Sequence, residues 1–359
     1  VGMVSWLKQR GVAPYSFYLL GIILLFALIL RLVLAPTWVG YDTDVRTFMA
    51  WADRAYTVGL KDLYTNAKDY FLDYPPGYMY VLYVVGFIHH KFSIPWESSG
   101  SLLVLKFPAI LADLMTVYLL FRLAISKQEG ARSPKHALWI AAIFAFNPAI
   151  WANSAVWGQV DSFFMLFIVA CLLMQMKGKL PQAAFFIALA LLLKPQALLF
   201  GIFLLIDVIR ARNVMVWLLS VLTGIATMAV LSLPFSVGKG YGWMIELYSG
   251  TLASYPYASL NAFNLFALIG GNFIDINSGF GHLSYKLIGF VLMLLSIVYV
   301  CVLYWLGKHR RGAVLYISFL FITAVFMCMT KMHERYLHYG LLLALTSFIY
   351  IKDRRILWL

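Results

Sequence analysis

The sequence predicts an all-α polytopic membrane protein of about ten transmembrane helices, with both termini cytoplasmic and interfacial helices in a first outer loop. Three observations predict it. Hydrophobic types fill 63% of the 359 positions and charged types only 12%, where soluble domains carry about 25% charged residues. Apolar runs near the length that crosses hydrocarbon recur along the chain. The basic residues also sort so that their excess falls on one side. A soluble body of this size has too little polar surface to hide so much apolar material.

The apolar runs begin near positions 15, 101, 137, 161, 182, 196, 214, 286, 313 and 337. The first, Tyr15 to Pro36, is too long for the core of a cleavable signal and is expected to be retained. The runs near 182 and 196 are short and split by Lys194-Pro195, so they read as two helices or one broken pair. A further run, Pro76 to His90, fits either a span or an interfacial helix, and the positive-inside rule decides. With that run at the outer interface, the inside collects Lys8, Arg10, Arg122, Lys127, Arg132, Lys135, Lys177, Lys179, Arg210, Arg212, Lys308, Arg310, Arg311, Lys352, Arg354 and Arg355. These are 16 of the 28 basic residues, against three acids, Glu129, Asp207 and Asp353. The outside then holds 11 residues of each sign, and Arg31 and Asp113 lie within spans. One transmembrane domain, 1–359, is expected. It comprises an outer loop at 37–100, core spans at 101–234, a second outer loop at 235–285 and C-terminal spans at 286–359. The net charge of +13 is read as the cytoplasmic edge of a membrane protein rather than as a nucleic-acid surface. Cys171, Cys301 and Cys328 sit in apolar runs without metal or disulfide spacing.

Five polar segments interrupt this pattern. In Asp42-Thr43-Asp44, followed by Val45, Phe48, Met49, Ala52 and Tyr56 at helical spacing, two acids open an amphipathic helix expected to lie on the bilayer surface. Such acids cap helices; the functional account makes one of them a base for a substrate hydroxyl. Asp73-Tyr74-Pro75-Pro76-Gly77 precedes the interfacial run, with Asp73 as a potential cap. Trp157-Gly158-Gln159-Val160-Asp161 is an outer turn leading into a span. Lys194 breaks an apolar run, where snorkelling and the holding of an anion are evenly matched. Lys331, His333, Glu334 and Arg335 crowd one turn, and on a helix Lys331 and Arg335 would share a face able to grip a phosphate. No Walker loop, nucleotide-binding glycine motif, HExxH or GxSxG is present.

Taken in order, these segments resemble the GT-C superfamily of integral-membrane glycosyltransferases. The arrangement is similar to the dolichyl-phosphate-glucose glucosyltransferases of the endoplasmic reticulum and to the GPI-anchor mannosyltransferases, and most closely to their bacterial mannosyltransferase relatives. The residues that carry the likeness are Asp44 with Phe48 and Trp51-Ala52, Asp73–Gly77, Lys106-Phe107-Pro108-Ala109, Trp157–Asp161, Lys194-Pro195-Gln196, Asn261-Ala262-Phe263-Asn264 and Met332–Tyr336. The resemblance implies a polyprenyl-phosphate-sugar donor, with Asp44 where the catalytic acid is expected and Asp42 as its paired carboxylate.

The expected reaction is transfer of a hexose to an extracytoplasmic glycan or glycolipid, with inversion and with Asp44 as general base. Lys194, Lys331, His333, Arg335 and Lys106 would hold the donor phosphate. Asp73, Asp161, Gln159, Glu334 and Gln196 would support it. No cofactor is expected, although the Asp42/Asp44 pair leaves room for a divalent ion. Membrane lipids, donor and acceptor are the expected partners, with no nucleic acid, and a bacterial plasma membrane with the site facing outward is the expected location. The rival reading is a flippase for lipid-linked sugars, which requires charged groups along a path through the membrane.

Overall fold

The computed structural model describes residues 15–65, 71–126, 129–130, 132–307 and 312–357. Lys8, Arg10, Lys127, Lys308, Arg310 and Arg311, assigned above to the inner side, lie outside the described residues. The chain runs α1 (Tyr15–Thr37), α2 (Asp42–Thr57), α3 (Gly59–Asp62), α4 (Pro76–Lys91), α5 (Ser99–Ile125), α6 (Pro134–Phe146) and α7 (Pro148–Trp151), which continues as a π-helical turn, Ala152–Val156. Then come α8 (Asp161–Met176), α9 (Leu180–Leu191), α10 (Ala197–Arg210), α11 (Val214–Ser236) and α12 (Trp243–Ala253). The remaining elements are β1 (Ser259–Leu260), α13 (Leu265–Leu268), β2 (Gly279–Phe280), β3 (Leu283–Ser284), α14 (Tyr285–Leu306), α15 (Ala313–Cys328), β4 (Met332–His333), a 3₁₀ turn (Glu334–Leu337), α16 (His338–Ile351) and a final 3₁₀ turn (Arg354–Leu357).

Each of the ten apolar runs holds a helix, and the Lys194-Pro195 break separates two, α9 and α10. Among the described residues, α1, α5, α11 and α14 are long and apolar enough to cross a membrane. Counting α6 with α7 and its π turn, bent by 47°, as a single span would make five. Helices α8, α9 and α15 are apolar but shorter. The starts follow local chemistry: Pro76, Pro134 and Pro148 occupy first-turn positions, and Ser98 and Ser133 accept backbone N–H bonds as caps.

By the contacts within it, the chain groups into two compact units, each assembled from separated stretches. The first comprises 1–168, 188–195 and 225–243. Here α2 packs on α4 through Val45, Phe48, Met49 and Ala52, all buried. This corrects the expectation that α2 rests its apolar face on the bilayer: protein covers that face. Gly86 makes the approach possible, because a Cβ there would stand 2.2 Å from the Ala52 carbonyl oxygen. Arg31 of α1 and Asp113 of α5 form a buried ion pair at 3.0 Å.

The second unit comprises 169–187, 196–224 and 244–359. Helix α15 lies against both α14 and α16. Strand β1 pairs parallel with β4, Ser259 opposite Met332 and Leu260 opposite His333, while β2 and β3 form a short antiparallel pair. Asn264 caps α13 through Ala267 N–H and donates to the Phe326 and Met329 carbonyls at the end of α15. The expected second outer loop is thus an ordered set of short elements.

Candidate active site

In the first unit, the opening turn of α2 presents both acids. The residue that caps it, Tyr41, makes no side-chain cap bond. Asp42 is exposed and accepts from Arg46 at 2.8 Å, and Arg46 also reaches Glu97 at 2.7 Å. Asp44 is only half-exposed. It accepts hydrogen bonds from Gln159 Nε2 at 2.8 Å and Trp157 Nε1 at 3.2 Å. Two donors meeting at one oxygen, Oδ2, fix the direction of the carboxylate.

The Trp157–Asp161 turn reaches Asp44 because backbone approaches backbone. A Cβ on Gly40 would stand 2.5 Å from the Val156 carbonyl oxygen. Gly158 sits at φ +72, and a Cβ there would come within 2.8 Å of Lys106 Cγ. Asp161, at the other end of the turn, accepts from Lys194 Nζ at 2.5 Å, with both side chains buried. The lysine read as an anion holder therefore already has a carboxylate beside it. Its ammonium also stands 5.8 Å from the centre of the Tyr74 ring, within cation–π range.

The Asp73–Gly77 segment supplies aromatic walls. Tyr74, Tyr78 and Phe48 meet with ring centres 5.4–5.6 Å apart, and Trp51 joins through Tyr74 at 5.3 Å. Gly77 N–H donates to the Leu192 carbonyl at 2.8 Å, tying this segment to the Lys194 break. Burial, followed by the nearby Asp161 and Asp44 carboxylates, pushes the Tyr78 phenol up, so it remains a neutral hydroxyl. Asp73 is half-buried, and the residue at the cap position of α4 is Pro75.

Lys106 is fully buried. Its ammonium donates to the Ala35 and Trp38 carbonyls at the end of α1. In this geometry it closes a helix terminus. Asp113, which the sequence marked only as an intramembrane charge, accepts from Ser154 at 2.6 Å and from Ser162 at 2.7 Å, on either side of the Trp157–Asp161 turn. Tyr74, Tyr78 and Trp157 are likewise site residues that sequence reasoning left as motif neighbours. The signal that could have found them was their place inside the recurring motifs.

In the second unit, the Lys331–Tyr336 segment is not the helix on which the shared face of Lys331 and Arg335 depended. Lys331 has φ +62, Met332–His333 is a strand, and Glu334–Leu337 is a 3₁₀ turn. β-Pairing with Ser259–Leu260 overrides the local helical spacing. Lys331 Nζ donates to the Leu252, Ala253 and Ser254 carbonyls at the end of α12. Burial, and then Lys286, push its pKa down. His333 meets the Tyr255 ring at 5.5 Å and the Tyr336 ring at 5.2 Å. Gln196 Nε2 donates to the Tyr336 hydroxyl at 3.3 Å, and the Arg335 guanidinium lies 6.0 Å from the Tyr336 ring centre. Glu334 and Arg335 are half-buried.

Among the described residues, no three His, Cys, Asp or Glu side chains gather as a metal ion would require. No curated protein matches the chain. The matched stretch of a family model begins after Asp44 and contains Asp73, Lys106, Asp113, Gln159, Asp161, Lys194 and Gln196. That model, described as Glycosyltransferase family 87, covers residues 71–331.

Proposed function

The chain belongs to glycosyltransferase family 87, and from that premise we propose that it moves a hexose from a polyprenyl-phosphate donor to an extracytoplasmic glycan or glycolipid, with Asp44 as general base. The observation that carries this reading is the contrast between the two acids. Asp42 is exposed in an Arg46–Glu97 chain of charges, while Asp44 is aimed by Trp157 and Gln159 with the Tyr78 phenol nearby.

In the proposed step, Asp44 takes the proton of an acceptor hydroxyl as its oxygen forms a bond to the anomeric carbon. The bond from that carbon to the phosphate oxygen breaks, and the electron pair leaves with the polyprenyl phosphate. Attack opposite the leaving group inverts the centre. Growing charge on the phosphate calls for cations, a role assigned in the first unit to Lys194. Lys106 supports it through the helix end it caps, alongside Asp73, Asp161 and Gln159.

The membrane setting and the one-sided basic charge support a site facing outward, where cytosolic nucleotide sugars are out of reach and a lipid-linked donor is not. The flippase alternative needs ionisable groups lining a passage; Arg31 and Asp113 instead pair with each other. The test is donor turnover by the purified protein in lipid nanodiscs, using a panel of polyprenyl-phosphate hexoses. Asp44→Asn is expected to lower kcat about 10²–10⁴-fold at unchanged expression. Near-normal turnover in that variant, with Asp42→Asn inactive, transfers the role to Asp42.

A further inference from the structure

We infer that Asp113, buried within the α5 span, is the positioning residue of the candidate active site. It holds the Trp157–Asp161 turn in the form that delivers Trp157 and Gln159 to Asp44. This role presupposes the transferase reading above and adds a residue to it that touches neither donor nor acceptor.

Asp113 is 1% exposed. Its Oδ1 accepts from Ser162 Oγ at 2.7 Å, and its Oδ2 accepts from Ser154 Oγ at 2.6 Å and Arg31 Nε at 3.1 Å. Arg31 in turn donates from Nη1 to the Ala145 carbonyl at 2.9 Å and the Ala27 carbonyl at 3.2 Å. The carboxylate is thus anchored to α1 and to the end of α6 before it touches the turn.

The two serines bracket the functional side chains. Ser154 precedes Trp157 by three positions, and Ser162 follows Gln159 by three. The stretch they flank takes uncommon backbone forms: a π-helical turn at Ala152–Val156, which holds Ser154, and a left-handed glycine at φ +72. π-Helical turns are rare and concentrate at functional sites, and only Gly158 tolerates both its dihedral and the nearby Lys106 side chain. Two bonds to one buried carboxylate hold both ends of this irregular stretch in register.

Helix adhesion alone does not call for such an arrangement. Spans join through small residues and single hydroxyls, and a carboxylate in the membrane is costly. Arg31 meets only Oδ2, so Oδ1 is left to Ser162, and the carboxylate is completed only by side chains that flank the turn. The serines are the part of the network that points to the turn.

The test uses the full-length protein in nanodiscs with a polyprenyl-phosphate hexose that the wild type turns over. Ser154→Ala/Ser162→Ala keeps the Arg31–Asp113 pair and the net charge while releasing the turn. Its kcat is expected to fall about 10–100-fold with donor KM within about twofold, as misplacement of a catalytic group does. Gln159→Leu should give a similar loss. The triple variant should be no worse than about twofold below the serine pair, because the released turn has already withdrawn Gln159 from Asp44. Arg31→Met/Asp113→Leu removes the ion pair without stranding a buried charge, so its melting temperature should stay near wild type while kcat falls as in the serine variant.

Losses that multiply in the triple variant overturn the role, as does a change confined to KM. Wild-type kcat in either the serine pair or the folded Arg31→Met/Asp113→Leu protein overturns it too. An inactive wild type removes the transferase reading and this role with it; an active wild type with unaffected variants removes this role alone.

Discussion

Asp42 and Asp44 stand on the same helical turn but on different sides of it, since two residues rotate about 200° around an α-helix. That rotation splits the pair: one carboxylate meets Arg46 in solvent, the other meets Trp157 and Gln159. The two acids were legible in the sequence as a pair and the family resemblance singled out Asp44, but the groups that aim it, more than 100 positions away, were not legible. Trp157→Phe keeps the ring and removes the N–H. It is expected to lower kcat about tenfold, the value of one lost hydrogen bond to a charged group, in the same turnover assay. Lys194 was legible as a costly cation, yet its carboxylate partner, 33 residues earlier, was not. Lys194→Met should destabilise the protein by about 3–5 kcal/mol by stranding Asp161. Lys194→Met/Asp161→Leu should recover most of that, as read from melting in detergent.

Among elements, the helices follow from apolar length and from proline and serine starts, and each sequence run is found as a helix. Their partners do not follow. The apolar face of α2 has the same pattern whether lipid or protein covers it, and only Gly86 on α4 reveals the close contact. Gly86→Ala, with a Cβ 2.2 Å from the Ala52 oxygen, should cost about 1–3 kcal/mol by overpacking. Gly201→Ala in α10, with nothing within 4 Å, should be neutral or slightly stabilising; the two melting temperatures give the comparison. The turn at Lys331 shows the opposite failure. Its i, i+4 spacing read as helical, whereas strand pairing with a segment some 70 residues earlier fixed it as β.

For the molecule as a whole, composition alone placed the chain in a membrane, and among the described residues four helices are long and apolar enough to cross it. The order of crossings rests on charge, through Lys177, Lys179 and Arg212 on one side and the 235–285 segment on the other. In a chain freed of its three native cysteines, Ser278→Cys should react with a membrane-impermeant maleimide on intact cells. Lys179→Cys should react only after the membrane is opened. The reverse pattern would invert the topology and move Asp44 to the cytosol.

The parallel pairing of Ser259–Leu260 with Met332–His333 carries a mechanical corollary. Lys331 fastens the same strand to the tail of α12, so the ribbon bearing Tyr255 and the corner bearing His333 behave as one riveted plate. Force applied at one edge is thereby passed to the other through paired backbone rather than through loose chain.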